Sequence, residues 1–186
     1  MTDYTLIKSK RKTLSVEVRD GRVIVRVPNR TSKRAADEFV RKHEDWIERQ
    51  LTKSRLQAEQ TAAVEKLTQS ELDALHLRAR EYLPRRAQHY AAMLGAEFNR
   101  VTIRCQKTRW GSCSAKKNLN FNCLLMLAPA EVIDSVVVHE VCHLKEMNHG
   151  ARFYALLREI FPAYDRCNRW LKDNGKLLMA RIPDKP

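Results

Sequence analysis

The chain has no apolar run close to the ~20 residues that a bilayer-spanning helix needs, so no membrane partner is expected. Its first residues, Met1-Thr2-Asp3-Tyr4-Thr5-Leu6-Ile7-Lys8, lack the apolar core and cleavage site of a secretory signal, and the expected location is the cytoplasm. No C-x-x-C pair occurs among the five cysteines, Cys105, Cys113, Cys123, Cys142 and Cys167. An odd number without such spacing fits reduced thiols better than a disulfide framework or a cysteine zinc site. There is no low-complexity tract and no internal repeat. Acidic residues are missing altogether between Glu97 and Glu131, an interval that holds Arg100, Arg104, Lys107, Arg109, Lys116 and Lys117. Histidine is scarce too: there are six in 186 residues, and three of them fall within eleven positions.

What is present begins with a net charge of +13, which favours anionic partners: nucleic acid, nucleotides or acidic proteins. Hydrophobic residues make up 44% of the chain, enough for a real core. Leu14–Val18 and Val23–Val27 alternate around Asp20-Gly21, a hairpin signal. A helix is expected from about Lys33 to Leu56, followed by a polar extension or linker to Gln69. We expect an N-terminal module over residues 1–69 and a second domain over 70–186. The second opens with a helix from Ser70 to about Leu94, in which Pro84 predicts a kink. Strands follow at Arg100–Cys105 and Leu119–Leu124, with a turn at Lys117-Asn118. The last helix is expected to end near Asn174 with Gly175 as its cap, leaving Lys176 to Pro186 as a tail of modest order.

The three clustered histidines lie in Val136-Val137-Val138-His139-Glu140-Val141-Cys142-His143 and in Asn148-His149-Gly150. Helical residues four apart lie only about 40° apart around the axis, so His139 and His143 project from one face and can close on one ion. Zinc accepts such nitrogens at about 2.0–2.1 Å, and Glu140 beside them suits the general base that takes a proton from the metal's water. A single apolar helix with incidental histidines is the plainer alternative. Two imidazoles and a carboxylate on so apolar a run would be costly without a partner, which argues against it.

His149, six residues beyond His143, reaches the same ion only if the helix stops between them. Asn148 and Gly150 both tolerate left-handed backbone and suggest an end near Met147. The spacing follows the extended motif H-E-x-x-H-x-x-G-x-x-H, with Glu146 where the glycine would stand. Glu159 on the following helix is the rival third ligand.

The combination of Arg109-Trp110-Gly111-Ser112-Cys113, Asn122 with Leu124–Pro129, and His139-Glu140-x-x-His143 with Asn148-His149 and Phe153 resembles the YgjP-like metallopeptidase-domain family, relatives of SprT-like and other minimal zincins. The resemblance runs from about Lys8 to Leu171. It implies an α+β, zincin-like core, with a small, mostly antiparallel sheet packed on the H-E-x-x-H helix, plus the N-terminal hairpin and long helix. It also implies zinc on His139, His143 and His149, catalysis by Glu140, and a cleft near Trp110 and Asn122.

Arg109, Trp110 and Asn122 are therefore candidate substrate-binding residues. By residue type alone, Arg109 could stabilise an oxyanion or a phosphate, Trp110 could equally be a core anchor, and Asn122 could orient a ligand or cap a turn. The leading expectation is a zinc-dependent metallopeptidase acting on a peptide or protein. The alternatives are a nucleotide phosphohydrolase of the nucleoside triphosphate pyrophosphatase kind and a DNA-associated module that binds nucleic acid through its basic surface.

Overall fold

Alternation of valines with polar residues sets the first sheet. In the computed structural model, which describes residues 2–183, β1 (Thr5–Ser9), β2 (Ser15–Arg19) and β3 (Arg22–Pro28) pair in the order β1-β3-β2. Val23, Val25 and Val27 point to one side and are buried, as a period of two requires. The β2–β3 turn uses left-handed backbone at both Asp20 (φ 50°) and Gly21 (φ 72°), the conformation that favours Asp-Gly in two-residue hairpins. The expected single helix is two helices, α1 (Lys33–Lys42) and α2 (Glu44–Ala62). The break is His43, whose Nδ1 lies 2.8 Å from the Phe39 carbonyl and whose backbone leaves the helical region at φ −112°, ψ 12°. Ala36, Val40 and Ile47 complete this small core with the β3 valines.

The chain divides into two compact units after Ala63. Residues 64–68 go with the second because Leu67 is buried in its core and its N–H donates to the Arg181 carbonyl at 2.8 Å. There α3 (Gln69–Met93) starts on a capping box, Thr68 with Glu71, and is helical throughout, Pro84 included. The second sheet, β4 (Arg100–Arg104), β5 (Gly111–Cys113) and β6 (Asn118–Asn122), has the order β4-β6-β5. Its β4–β6 pair is parallel and its β5–β6 pair antiparallel, so the sheet is mixed and not mostly antiparallel. A long excursion between β4 and β6, with β5 inside it, lets the chain return parallel. The turn before β6 is tightened by Lys117 at φ 55°.

A 3-10 helix over Cys123–Leu127 leads into α4 (Ala130–Cys142), followed by α5 (Ala151–Ile160) and α6 (Tyr164–Ala180). The class is α+β. α4 is apolar nearly all round, as a helix enclosed by others must be. A bidentate Arg86–Asp134 pair ties it to α3, both contacts 2.7 Å, with Arg86 also donating to the Tyr90 hydroxyl at 2.9 Å.

Gly175 does not cap α6 but lies buried inside it, and residues 176–180 are helical rather than tail; 184–186 fall outside the described residues. The reason is packing. A Cβ at Gly175 would come within 3.1 Å of the Trp110 ring, so the helix carries glycine where the indole sits. No helix among the described residues is long and apolar enough to cross a membrane.

Candidate active site

α4 ends at Cys142, five residues before the expected stop, and His143 is its capping residue. The chain tightens there: Leu144 N–H donates to Val141 O at 2.9 Å and Glu146 N–H to Cys142 O at 2.9 Å. His143 helps fix this turn, its Nδ1 lying 3.0 Å from the Glu146 carbonyl. Neither Asn148 nor Glu146 adopts positive φ, and Gly150 sits at φ −88°, so the reversal needs no left-handed residue and no glycine at position 146.

The tightened turn brings the third histidine back. The ligand atoms of His139, His143 and His149 all lie within 4.8 Å of one another. Nε2 of His149 is 3.0 Å from Nε2 of His139. Nitrogens bound at about 2.0–2.1 Å to a tetrahedral ion would stand about 3.3 Å apart, so the two rings already nearly frame one cation. Phe153 of α5, fully buried, lies against all three rings with centroids 4.9, 4.5 and 4.9 Å away. Glu159, the rival ligand, is exposed on α5 and does not belong to this group.

The electrostatics suit a cation. Burial, then the neighbouring His143 and His149, pushes His139 down to about 4, and burial lowers His143 as well. Neutral imidazole is the form that donates a lone pair. The outer ring nitrogens are engaged: Nδ1 of His143 donates to the Glu146 carbonyl, and Nδ1 of His139 lies 3.1 Å from the Tyr164 hydroxyl. With its Nδ1 donating, His143 has its Nε2 lone pair free to ligate, as a ligating histidine requires. The donor set and its outer partners thus fit a divalent metal.

Glu140 is 7% exposed. Burial raises its carboxyl to about 8, opposed by a hydrogen bond from the Cys113 backbone amide. A Cβ on Gly111 would fall 2.6 Å from Glu140 Cγ and 2.8 Å from Oε1. Strand β5 can therefore lie against the carboxylate only because its first residue is glycine.

Asn122 is fully buried, and its side chain is spent on the chain itself. Nδ2 donates to the Gln106 carbonyl at 2.7 Å and the Arg109 carbonyl at 2.9 Å, while Oδ1 accepts from Leu124 N–H at 3.2 Å. It clamps the loop that carries Trp110 and caps the 3-10 helix. Trp110 packs on Gly175 and lines a cleft of about 280 Å3 beside Glu140. The other walls are Thr108, Arg109, Gly111, Ser135, Val136, His139, Tyr164, Asn168 and Leu171. Of the six cations in the acid-free segment, Arg109 alone lines this cleft.

Tyr164, Asn168 and Leu171 were not singled out as site residues by sequence. Their spacing of four and then three on α6 is the available signal, and it describes any packed face of a helix equally well.

Residues 12–74 and 55–174 match the YgjP-like metallopeptidase domain. The chain belongs to the YgjP-like metallopeptidase family. Among the described residues, the histidine trio is a group that could hold a metal ion. Two solved structures are also similar. One is the metallopeptidase zymogen abylysin of Pyrococcus abyssi, with 20% identity and TM-score 0.46, covering 50% of this chain and 96% of that one. The other is the metallopeptidase zymogen jannalysin of Methanocaldococcus jannaschii, with 23% identity and TM-score 0.45, covering 50% and 95%. No curated protein matches.

Proposed function

We propose that the protein is a zinc-dependent peptidase in which His139, His143 and His149 hold the metal and Glu140 is the general base. The observation that carries this reading is the convergence of three imidazoles, their ligand atoms within 4.8 Å of one another, next to a buried carboxyl. A bound zinc would supply Lewis acidity, acidifying water and polarising the carbonyl to be attacked.

Glu140 takes a proton from the attacking water and hands it to the departing amine. Its raised affinity for a proton, set by burial, suits both halves of that exchange, and a cation beside it lowers that affinity toward neutrality. Gly111 and the Cys113 amide hold the carboxylate in place. Among the described residues β5 is the edge strand of its sheet, next to β6, which is where an extended peptide would add by strand pairing. Arg109 and Trp110 flank the bound chain, and Asn122 acts through the loop that it clamps.

Peptide is favoured over nucleotide because Arg109 is the only member of the cationic segment in the cleft wall, too little to neutralise a polyphosphate. We place the protein in the cytoplasm. The test is Glu140→Gln assayed on a casein-derived peptide mixture. The variant should retain zinc and lose turnover by about 10²–10⁴-fold. Full hydrolytic activity in it would reject the mechanism.

A further inference from the structure

Helix α6 turns one stripe toward the cleft. Tyr164, Asn168, Leu171 and Gly175 follow at steps of four, three and four, which keeps them within about 60° of one another around the axis. Gly175 receives the Trp110 indole, Leu171 adds apolar wall, and Tyr164 engages His139.

Asn168 differs from these. It is half-buried in the cleft wall, and its carboxamide has no hydrogen-bond partner among the described residues. A primary amide has two N–H donors and two acceptor lone pairs, and keeping them partly out of water on an apolar stripe costs free energy unless something binds them. Asn122, the other asparagine near the cleft, has its groups satisfied by the chain. Asn168 is left facing the space that substrate would enter.

We propose that Asn168 is a substrate-binding residue whose carboxamide hydrogen-bonds the peptide backbone, while Trp110, Val136 and Leu171 take an apolar side chain beside the bond being cut. This rests on the peptidase reading. A peptide group offers one donor and one acceptor, and a carboxamide can meet both. A cleft of about 280 Å3 is at the small end for ligand sites, with room for one large side chain and its peptide unit. The lining has one acid, Glu140, and one permanent cation, Arg109. A charged side chain seated among Trp110, Val136 and Leu171 would be buried without a partner, so this position selects against Glu, Asp and Lys.

Asn168→Leu keeps the side chain's size and removes its polar groups. Zinc-loaded wild type and variant are compared on blocked hexapeptides with Leu, Phe, Glu or Lys at the central position. Wild type should prefer Leu and Phe by about 10-fold or more. Asn168→Leu should lose about 10-fold in kcat/KM on those two, mainly through KM, with zinc content and Tm unchanged, and Asn168→Gln should recover part of the loss.

A second readout does not depend on turnover. The side-chain amide resonances of Asn168, assigned by their absence from Asn168→Leu, are followed in the Glu140→Gln protein as the Phe peptide is added, and should shift and saturate. Unchanged kcat/KM in Asn168→Leu, or an amide pair that stays still up to the highest peptide concentration, overturns the proposal. Wild type that cleaves none of the peptides counts against the peptidase reading itself, and the amide titration then decides the role of Asn168 alone.

Discussion

The two sheets share a plan: a first strand parallel to the third, the second antiparallel to it, and a helix following in sequence. In the first sheet the antiparallel strand β2 is five residues long and closes on Asp20-Gly21, a tight turn whose purpose is register. In the second, β5 is only three residues, and its glycine faces a carboxylate. α1, after the first sheet, is amphipathic and buries only Ala36 and Val40. α4, after the second, is enclosed and carries His139 and Glu140, with His143 as its C-cap. The same strand order thus serves packing in one place and chemistry in the other. What separates them is enclosure, which desolvates the titratable groups, and a glycine that lets backbone approach them.

The largest effects should follow from removing the chemistry. His143→Ala should weaken zinc binding by at least about 100-fold in a competition titration, since the loss of one of three ligands also exposes the others to water. Gly111→Ala comes next. Its methyl group would overlap Glu140 at 2.6–2.9 Å, so the carboxylate or strand must move; a 10–100-fold fall in kcat is expected with zinc affinity within about threefold. Gly21→Ala is the matching change in the first sheet. Nothing lies within 4 Å of a Cβ there, but φ is +72°, so it should cost about 1 kcal/mol in thermal melts and leave kcat unaltered. Should Gly111→Ala prove as harmless to turnover as Gly21→Ala, the contrast between the sheets would collapse. The smallest effect is Thr68→Ala, which removes half of a capping box from α3 and should lower stability by about 1 kcal/mol.

Much of this could be read in the chain before any coordinates. Spacing alone put His139 and His143 on one helical face, and Asp20-Gly21 announced its hairpin. The third histidine was placed by a correct demand, that the helix stop, but through the wrong device. The expectation relied on left-handed residues at 148 and 150, whereas His143 bonding to the Glu146 carbonyl ends the helix sooner. Gly175 misled because a glycine late in a helix usually marks its end. Here it answers to Trp110, 65 positions away in sequence, a contact that no local pattern encodes. Asn122 reads from sequence either as orienting a ligand or as capping a turn; its carboxamide is committed to two loop carbonyls and caps the 3-10 helix. Asn168 went unnoticed because an isolated asparagine on a helix gives no signal until its surroundings are known.

Zinc K-edge absorption on the protein loaded with one equivalent of zinc, in wild type and His149→Ala, tests the centre most directly. Three imidazole nitrogens and one oxygen donor at about 2.0–2.1 Å are expected in wild type, with one imidazole lost in the variant. A wild-type spectrum with sulfur ligands, or one that His149→Ala leaves unaltered, would contradict the site described here.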